Sequence, residues 1–190
     1  MKNITLAILM AVGMIFVGAN TASAQMMMSD NPMVGGQAML KSKNIVENAV
    51  NSADHTTLVA AVKAAGLVDT LMGRGPFTVF APTNDAFENL PAGTVDTLLK
   101  PENKATLTKI LTYHVVAGSV TAKDIMKMIK KGNGKAVIKT VSGGTLTAMM
   151  NGPMNIVLMD EKGNTANITT YDVMQSNGVI HVIDKVLLPN

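Results

Sequence analysis

The spacing of hydrophobic residues changes along the chain, near residue 135. Over most of the chain before this point, apolar residues recur every three or four positions, which is the period of an amphipathic helix. After it they alternate with polar residues, which is the period of a half-buried strand. Helices followed by strands predict an α+β fold.

Residues 44–73 contain two groups of apolar residues at helical spacing, so we predict two helices there, separated by a break at residues 51–54. A further helix is predicted after Pro101, with His114 on its apolar face. Residues 121–124 have the spacing of a capping box, which predicts another helix start. The apolar residues of these helices are Ile45, Val46, Ala49, Val50, Leu58, Ala61, Val62, Ala65, Leu107, Ile110, Leu111, Ile125, Met128 and Ile129.

The last third of the chain has the pattern of consecutive strands. Turns of Gly, Asn, Ser, Pro and charged residues separate its alternating segments, so neighbouring strands are expected to follow one another closely. The predicted strands cover residues 135–141, 145–150, 155–160, 164–171 and 178–188.

Residues 77–87 predict a strand, a stop and a helix start within a short stretch. The strand is apolar on both faces, which is typical of a strand in a core. Pro82 cannot donate a hydrogen bond to a neighbouring strand, so pairing is expected to end there. Thr83 or Asn84 can then cap the helix that follows.

Three segments resemble the conserved blocks of the fasciclin-like domain family. Residues 77–87 (Phe-Thr-Val-Phe-Ala-Pro-Thr-Asn-Asp-Ala-Phe) resemble the first block, and residues 177–189 (Asn-Gly-Val-Ile-His-Val-Ile-Asp-Lys-Val-Leu-Leu-Pro) resemble the last. Residues 111–118 resemble the central Tyr-His segment. The resemblance covers residues 41–189. It implies N-terminal helices packed on a wedge-shaped sandwich of two β-sheets, with the first and last blocks adjacent at its centre.

The first 24 residues have the pattern of a signal peptide. Lys2 precedes an apolar run at residues 4–17, which is too short to span a bilayer, and residues 22–24 (Ala-Ser-Ala) form a cleavage site. We predict cleavage after Ala24 and export to a periplasm or to the cell exterior. The style of the signal suggests a bacterial protein. The alternative is an uncleaved anchor helix.

Residues 25–40 are rich in methionine and have neither helical nor strand periodicity. We therefore predict an extended, mobile segment here, followed by a domain at residues 41–190. Thioethers are soft ligands that suit Cu(I), which makes a copper site the alternative. Its ligands would be Met26, Met27, Met28 and Met33. The interpretation we favour includes no metal and no cofactor, because no His or Cys accompanies these methionines and methionine also fills gaps in cores.

Charge and composition exclude several classes of partner. The chain has 16 basic and 13 acidic residues, from which we infer no basic stripe and expect no nucleic-acid or membrane partner. Lys127, Lys130 and Lys131 are interpreted as the solvated end of a helix. Four Phe, two Tyr and no Trp leave few stacking platforms for sugars or bases. Without cysteine, neither a disulfide nor a thiol nucleophile is possible.

Motifs of known catalytic sites are missing, so we expect a non-enzymatic protein. The chain has no Gly-x-Ser-x-Gly elbow, P-loop, His-Glu-x-x-His sequence or dinucleotide-binding glycine pattern. His55, His114 and His181 can form a metal site only if the fold brings them together. We favour core histidines with hydrogen-bonded rings, since His181 lies within an apolar strand.

The resemblance implies two sets of candidate binding residues. In fasciclin-like domains of animals, the segment equivalent to Tyr113-His114 is associated with integrin-dependent adhesion, and Asp124-Ile125 resembles an Asp-Ile adhesion motif. The residues themselves favour a structural role for His114, whose ring can bond to a carbonyl near a helix end. Asp124 can equally serve as a capping residue.

Together these observations predict a secreted adhesion domain. Its expected partners are an extracellular-matrix component, a cell-surface protein or a polysaccharide, in bacterial attachment, biofilm or host association. The contact surface is expected at the loops of the wedge ends, since loops carry most interaction residues. The alternative is a periplasmic protein that binds copper or a small ligand through the methionine-rich segment.

Overall fold

The structure is a computed structural model that describes residues 31–190. Its first part is mainly helical. The elements in order are β1 (Met33–Val34), β2 (Gln37–Ala38), α1 (Ile45–Ala49), a 3₁₀ turn (Ala53–His55), α2 (Thr56–Ala65), α3 (Val68–Met72), β3 (Phe77–Pro82), α4 (Asn84–Glu88), α5 (Thr94–Leu98), a 3₁₀ turn (Pro101–Asn103), α6 (Lys104–Tyr113), β4 (Val115–Ala117) and α7 (Ala122–Lys131).

Five strands follow, as the change in periodicity predicts. They are β5 (Lys135–Lys139), β6 (Thr145–Asn151), β7 (Asn155–Met159), β8 (Thr165–Gln175) and β9 (Gly178–Ile183). They join β3 and β4 in a seven-stranded sheet of order β4-β3-β9-β8-β7-β6-β5. The α+β class is therefore confirmed.

The first and last conserved blocks pair at the centre of the sheet. Strands β3 and β9 run parallel, in register from Phe77 opposite Gly178 to Pro82 opposite Ile183. All other neighbouring strands are antiparallel. The adjacency that the family resemblance implies is thus present.

The long strand β8 connects the two halves of the sheet. Its beginning pairs with β7, whereas its remainder pairs with β9. The register shifts twice along the second pairing, between Ile168 and Thr170 and between Thr170 and Val173, and Asp172 has a φ of 53°. Such irregularities bend a strand, so the two predicted sheets of the sandwich are continuous through β8.

Two hydrophobic clusters lie on the two faces of β3 and β9. Val79 and Ala81 belong to the cluster shared with the helices, and Phe80 belongs to the cluster shared with α7 and β5–β8. Successive side chains of a strand point to opposite faces, which explains why β3 carries apolar residues on both of its faces.

Residues 31–40 differ from the extended, mobile segment that the sequence predicts. They form the β1–β2 hairpin, in which Val34 and Met39 are buried and Gly35 and Gly36 provide the turn with positive φ. The Leu40 N–H donates to Asn48 Oδ1 at 3.0 Å. Only two buried side chains anchor this hairpin, too few to give a periodic pattern. The predicted signal peptide, its cleavage site and Met26–Met28 lie outside the described residues.

The predicted cap of α4 is confirmed, and one of its two candidate residues performs it. The Thr83 side chain accepts from the Ala86 N–H and caps α4, as predicted. Asn84 instead caps α2, because its Oδ1 accepts from the Thr57 N–H at 3.0 Å. Within residues 31–190, none of the helices is long and apolar enough to cross a membrane.

Candidate interaction site

His114 ends helix α6 and ties it to the C-terminal segment of the chain. Its Nε2 accepts from the Leu187 N–H at 3.0 Å, so the neutral ring carries its proton on Nδ1. Nδ1 then donates to the Ile110 carbonyl at 2.9 Å. Both ring nitrogens are satisfied inside the protein, which is the structural role that the sequence favours.

The environment of His114 keeps its ring neutral. Burial lowers the pKa of His114 to about 4, and the Ile110 carbonyl and the charge of Asp160 only partly oppose this effect. A second ring proton would also face the Leu187 N–H, which already donates to Nε2. His114 therefore functions as a fixed hydrogen-bonding group at neutral pH.

Tyr113 links α6 to two turns of the sheet. Its hydroxyl donates to the Thr145 carbonyl at 2.6 Å and accepts from the Glu161 N–H at 3.2 Å. The side chain is fully buried, and burial raises the pKa of Tyr113 to about 12. Gly144 leaves room for the ring, since a Cβ there would lie 2.8 Å from Tyr113 Cε2.

Asp160 belongs to the same buried network, although its sequence context did not single it out. It is only 4% exposed and accepts N–H groups of Lys162, Asn164 and Leu188 at 2.8–3.0 Å. Through Leu188 it holds the C-terminal segment beside His114. A carboxylate that accepts hydrogen bonds from several backbone N–H groups fixes the conformation of a turn. The charge of Asp160 therefore has a structural role.

The candidate pair Asp124-Ile125 lies in the first turn of α7. Ile125 is completely buried. Asp124 completes a capping box: its Oδ2 accepts from the Thr121 N–H at 3.2 Å, and its own N–H donates to Thr121 Oγ1 at 3.3 Å. Its Oδ2 also accepts from the Thr121 hydroxyl at 2.6 Å. These hydrogen bonds from Thr121 lower the pKa of Asp124. Its side chain is 47% exposed and lies 3.8 Å from Lys127 Nζ.

Helix α7 and the adjoining strand β5 expose a group of lysines, which we call the lysine cluster. Its presence contradicts our expectation that the chain has no basic stripe. Residues 122–139 contain these lysines and a single acidic residue, Asp124. The opposite side of α7 is buried in the core, so the cluster remains on the surface. Its members, all exposed, are Lys123, Lys127, Lys130, Lys131, Lys135 and Lys139.

His181 and His55 have separate environments. His181 stacks on Phe80, its Nε2 lies 2.9 Å from the Val120 carbonyl, and its Nδ1 accepts from the Asp172 N–H at 3.3 Å. His55 Nδ1 lies 2.9 Å from Ser52 Oγ. No group of three or more His, Asp or Glu side chains within residues 31–190 is placed to hold a metal ion. Met33, the one proposed copper ligand in this range, is 63% exposed.

Two buried asparagines connect the helices to the sheet, and the sequence pattern did not indicate them. Asn177 Oδ1 accepts from the Ile45 N–H at 3.0 Å, and its Nδ2 donates to the Leu71 and Gly73 carbonyls. Asn48 donates to Gln175 Oε1 and to the Leu40 carbonyl. The partners of Asn177 are more than 100 residues away, so a local pattern carries no signal for them.

Comparisons with known proteins agree with this architecture. Residues 53–189 match the family model described as the fasciclin domain. Protein sll1483 of Synechocystis sp. is 47% identical over 170 residues, which cover 88% of this chain and 86% of that protein. The cell surface glycolipoprotein MPB83 of Mycobacterium bovis is 34% identical over 160 residues, with 82% of this chain and 64% of that protein covered.

A solved structure shares the fold. It is a FAS1 domain pair from the insect cell adhesion molecule fasciclin I, with a TM-score of 0.67 and 20% sequence identity. The match covers 77% of this chain and 51% of that structure, so the chain spans about half the length of the domain pair. At this identity the likeness concerns the fold.

Proposed function

Because the chain belongs to the fasciclin domain family, we propose that it is a non-catalytic interaction domain that acts outside the cytoplasm. The signal-peptide pattern of residues 1–24 supports export. Two similar proteins support a surface role, since one is named a cell surface glycolipoprotein and the other a cell adhesion molecule. In this proposal the protein serves bacterial attachment, by binding a component of a matrix or of another cell surface.

The lysine cluster is the observation that carries the proposal, because it gives the binding surface a charge. Within residues 122–139, six lysines accompany one carboxylate, and all six are exposed. Such a concentration of one sign of charge attracts an oppositely charged polymer and accelerates its binding. An acidic polysaccharide of a cell surface or matrix is therefore the partner we propose.

The Tyr-His segment has an indirect role in this proposal. Tyr113, His114 and Ile125 are buried, so their side chains contact a partner only if the domain opens. We assign to Tyr113 and His114 the role of holding α6 against the sheet. Ile125 and the Asp124 capping box hold α7, which carries four of the six lysines.

Binding to an acidic resin tests the proposal. A chain with Lys127→Gln, Lys130→Gln and Lys131→Gln is compared with a matched variant that carries Lys41→Gln, Lys100→Gln and Lys104→Gln. The two variants lose the same charge, but only the first loses it from the lysine cluster. Retention on immobilised alginate, a polyuronate, is measured over a salt gradient, with a neutral dextran resin as the reference.

We expect the parent and the matched variant to bind alginate and to be released by salt, because salt screens charge pairs at an exposed surface. The affinity of the cluster variant is expected to fall by about tenfold or more. Equal affinities of the two variants, or failure of the parent to bind alginate better than dextran, would overturn the proposal.

A further inference from the structure

The outer face of strands β5–β7 carries four apolar side chains, which we call the sheet patch. Side chains alternate along a strand, and every second residue of these three strands belongs to the hydrophobic cluster shared with α7. The residues between them therefore point outward, away from the core. The members of the sheet patch are Val137, Met149, Val157 and Met159.

Strand pairing places these side chains next to one another. Residues that lie opposite each other in neighbouring strands share one face of the sheet, with Cβ atoms about 5 Å apart. Two adjacent rows of opposed residues result: Val137, Thr147 and Met159 in one, and Lys135, Met149 and Val157 in the other. The sheet patch is therefore a continuous surface, with the Thr147 hydroxyl among its apolar side chains.

The exposure of the sheet patch is unusual for apolar side chains. Val137 is 71% exposed, and Met149 and Met159 are half-buried. Val157 is buried, although it belongs to neither hydrophobic core cluster. Single apolar residues on a surface need no explanation, but neighbouring ones indicate a contact site.

Two lysines of the lysine cluster flank the sheet patch. Lys135 and Lys139 lie two positions before and after Val137 on the same face of β5, so about 13 Å separates them along the strand. Opposite Lys139, the Thr145 N–H donates to Glu161 Oε1 at 2.9 Å, which holds this carboxylate at the sheet. Lysines on an edge strand such as β5 also discourage pairing with other chains, but this role does not explain the exposed apolar side chains.

A polyuronate combines the two chemical properties that this surface complements. Each of its sugar rings presents C–H groups on the ring faces and carries a carboxylate at the edge. The C–H groups can pack on the apolar side chains, which removes both from water, while the carboxylates pair with lysines. A polyphosphate has the same sign of charge but no apolar face.

We propose that the sheet patch contacts the sugar rings of the acidic polysaccharide whose carboxylates bind the lysine cluster. The patch then makes the domain selective for polyuronates over polyanions that lack an apolar face. This inference rests on the function proposed above and adds a second contact surface to it. The lysines attract the polymer, and the sheet patch distinguishes its chemistry.

Val137→Ser tests the inference, with Val50→Ser as the matched control. Val50 is 48% exposed at the end of α1, so both variants lose an exposed valine but only the first loses it from the sheet patch. Titration calorimetry measures the affinity of each full chain for alginate oligosaccharides and for inorganic polyphosphate over a range of salt concentrations.

The alginate affinity of Val137→Ser is expected to fall about threefold to tenfold, because an apolar contact is lost. Its polyphosphate affinity and the salt dependence of its alginate binding are expected to equal those of the parent, because every lysine is retained. Val50→Ser is expected to bind both polymers like the parent.

A charge variant and NMR spectra complete the test. The double variant Lys135→Gln and Lys139→Gln is expected to bind both polymers more weakly and with a smaller salt dependence. In amide spectra of the parent, alginate oligosaccharides are expected to shift Val137, Thr147 and Met149 more than polyphosphate does.

Two results would overturn this inference alone. The first is a parent that prefers alginate to dextran, beside Val137→Ser and Val50→Ser variants of equal alginate affinity. The second is a Val137→Ser variant that loses affinity for alginate and polyphosphate to the same extent. A parent that binds alginate no better than dextran would instead overturn the proposed function and this inference together.

Discussion

Single residues in this protein hold distant parts of the chain together through buried hydrogen bonds. His114 is the clearest case, because it receives an N–H from Leu187 and donates to its own helix at Ile110. The sequence placed His114 on the apolar face of a helix and predicted a bond to a carbonyl near the helix end. It did not indicate Leu187, because the pairing depends on how the C-terminal segment crosses α6.

The pH dependence of stability is the first prediction at this scale. The pKa of His114 is about 4 in the folded protein and near its ordinary value of 6.5 when unfolded. Between these values the unfolded chain binds a proton that the folded protein excludes, so stability falls as the pH falls from 6.5 to 4. The full effect is on the order of 3 kcal/mol. Burial also lowers the pKa of His55 and His181, which adds in the same direction.

Urea unfolding of the parent and of His114→Asn at pH 7.5 and pH 4.5 measures this effect. At pH 7.5 the variant is expected to lose about 1–3 kcal/mol, since buried groups lose their partners. Between the two pH values its stability is expected to fall less than that of the parent, because asparagine does not titrate. Equal losses on acidification in both proteins would contradict the assignment to His114.

At the scale of elements, two kinds of hydrogen bond hold the N-terminus of helix α7: those of a local capping box, and one to a residue that is distant in the chain. The sequence predicted the capping box of Thr121 and Asp124, and it is present. It did not predict that Asp172 of β8 accepts from the Ala122 N–H at 2.7 Å. The positive φ of Asp172 and the register shift beside it make this contact possible, and neither follows from a local pattern.

The cap of α7 gives a prediction at this scale. Thr121→Val removes the hydroxyl that accepts from Asp124 N–H, and it is expected to destabilise the protein by about 1 kcal/mol. Thr121→Ser keeps the hydroxyl and serves as the control, with near-parental stability expected. Thermal unfolding and amide hydrogen exchange in α7 measure the difference. Valine and serine variants of equal stability would show that the box contributes nothing.

The limits of sequence-based prediction also appear at this scale. The positions of most strands and helix starts were predictable, since periodicity and capping residues are local. The ends of the last two strands were not, because β8 continues to Gln175 and β9 ends at Ile183, whereas the predicted strands end at residues 171 and 188. The hairpin at residues 31–40 was missed, because only Val34 and Met39 anchor it. The bend of β8 and the contacts of Asn48 and Asn177 were missed because they join residues far apart in the chain. Three members of the lysine cluster (Lys127, Lys130 and Lys131) were correctly predicted to be exposed at a helix end. The cluster as a whole was missed, because an overall charge balance hides a local concentration.

At the scale of the whole molecule, the histidines and Tyr113 lie in the interior, whereas the lysine cluster lies on the surface. The parallel pair β3 and β9 separates two hydrophobic clusters, and histidines and Tyr113 lie within or beside them. The exposed lysines of the cluster lie on α7 and β5. In our account the buried residues determine the shape of the domain, and the lysine cluster contacts the acidic polysaccharide.

The most direct test compares three proteins on immobilised alginate at pH 7.5: the parent, His114→Asn and the triple variant of Lys127, Lys130 and Lys131. Circular dichroism first establishes that each is folded at the working temperature. We predict that His114→Asn is retained like the parent, whereas the lysine variant elutes early. A folded His114→Asn protein that is no longer retained, beside a lysine variant that is, would contradict the account and assign binding to the Tyr-His segment.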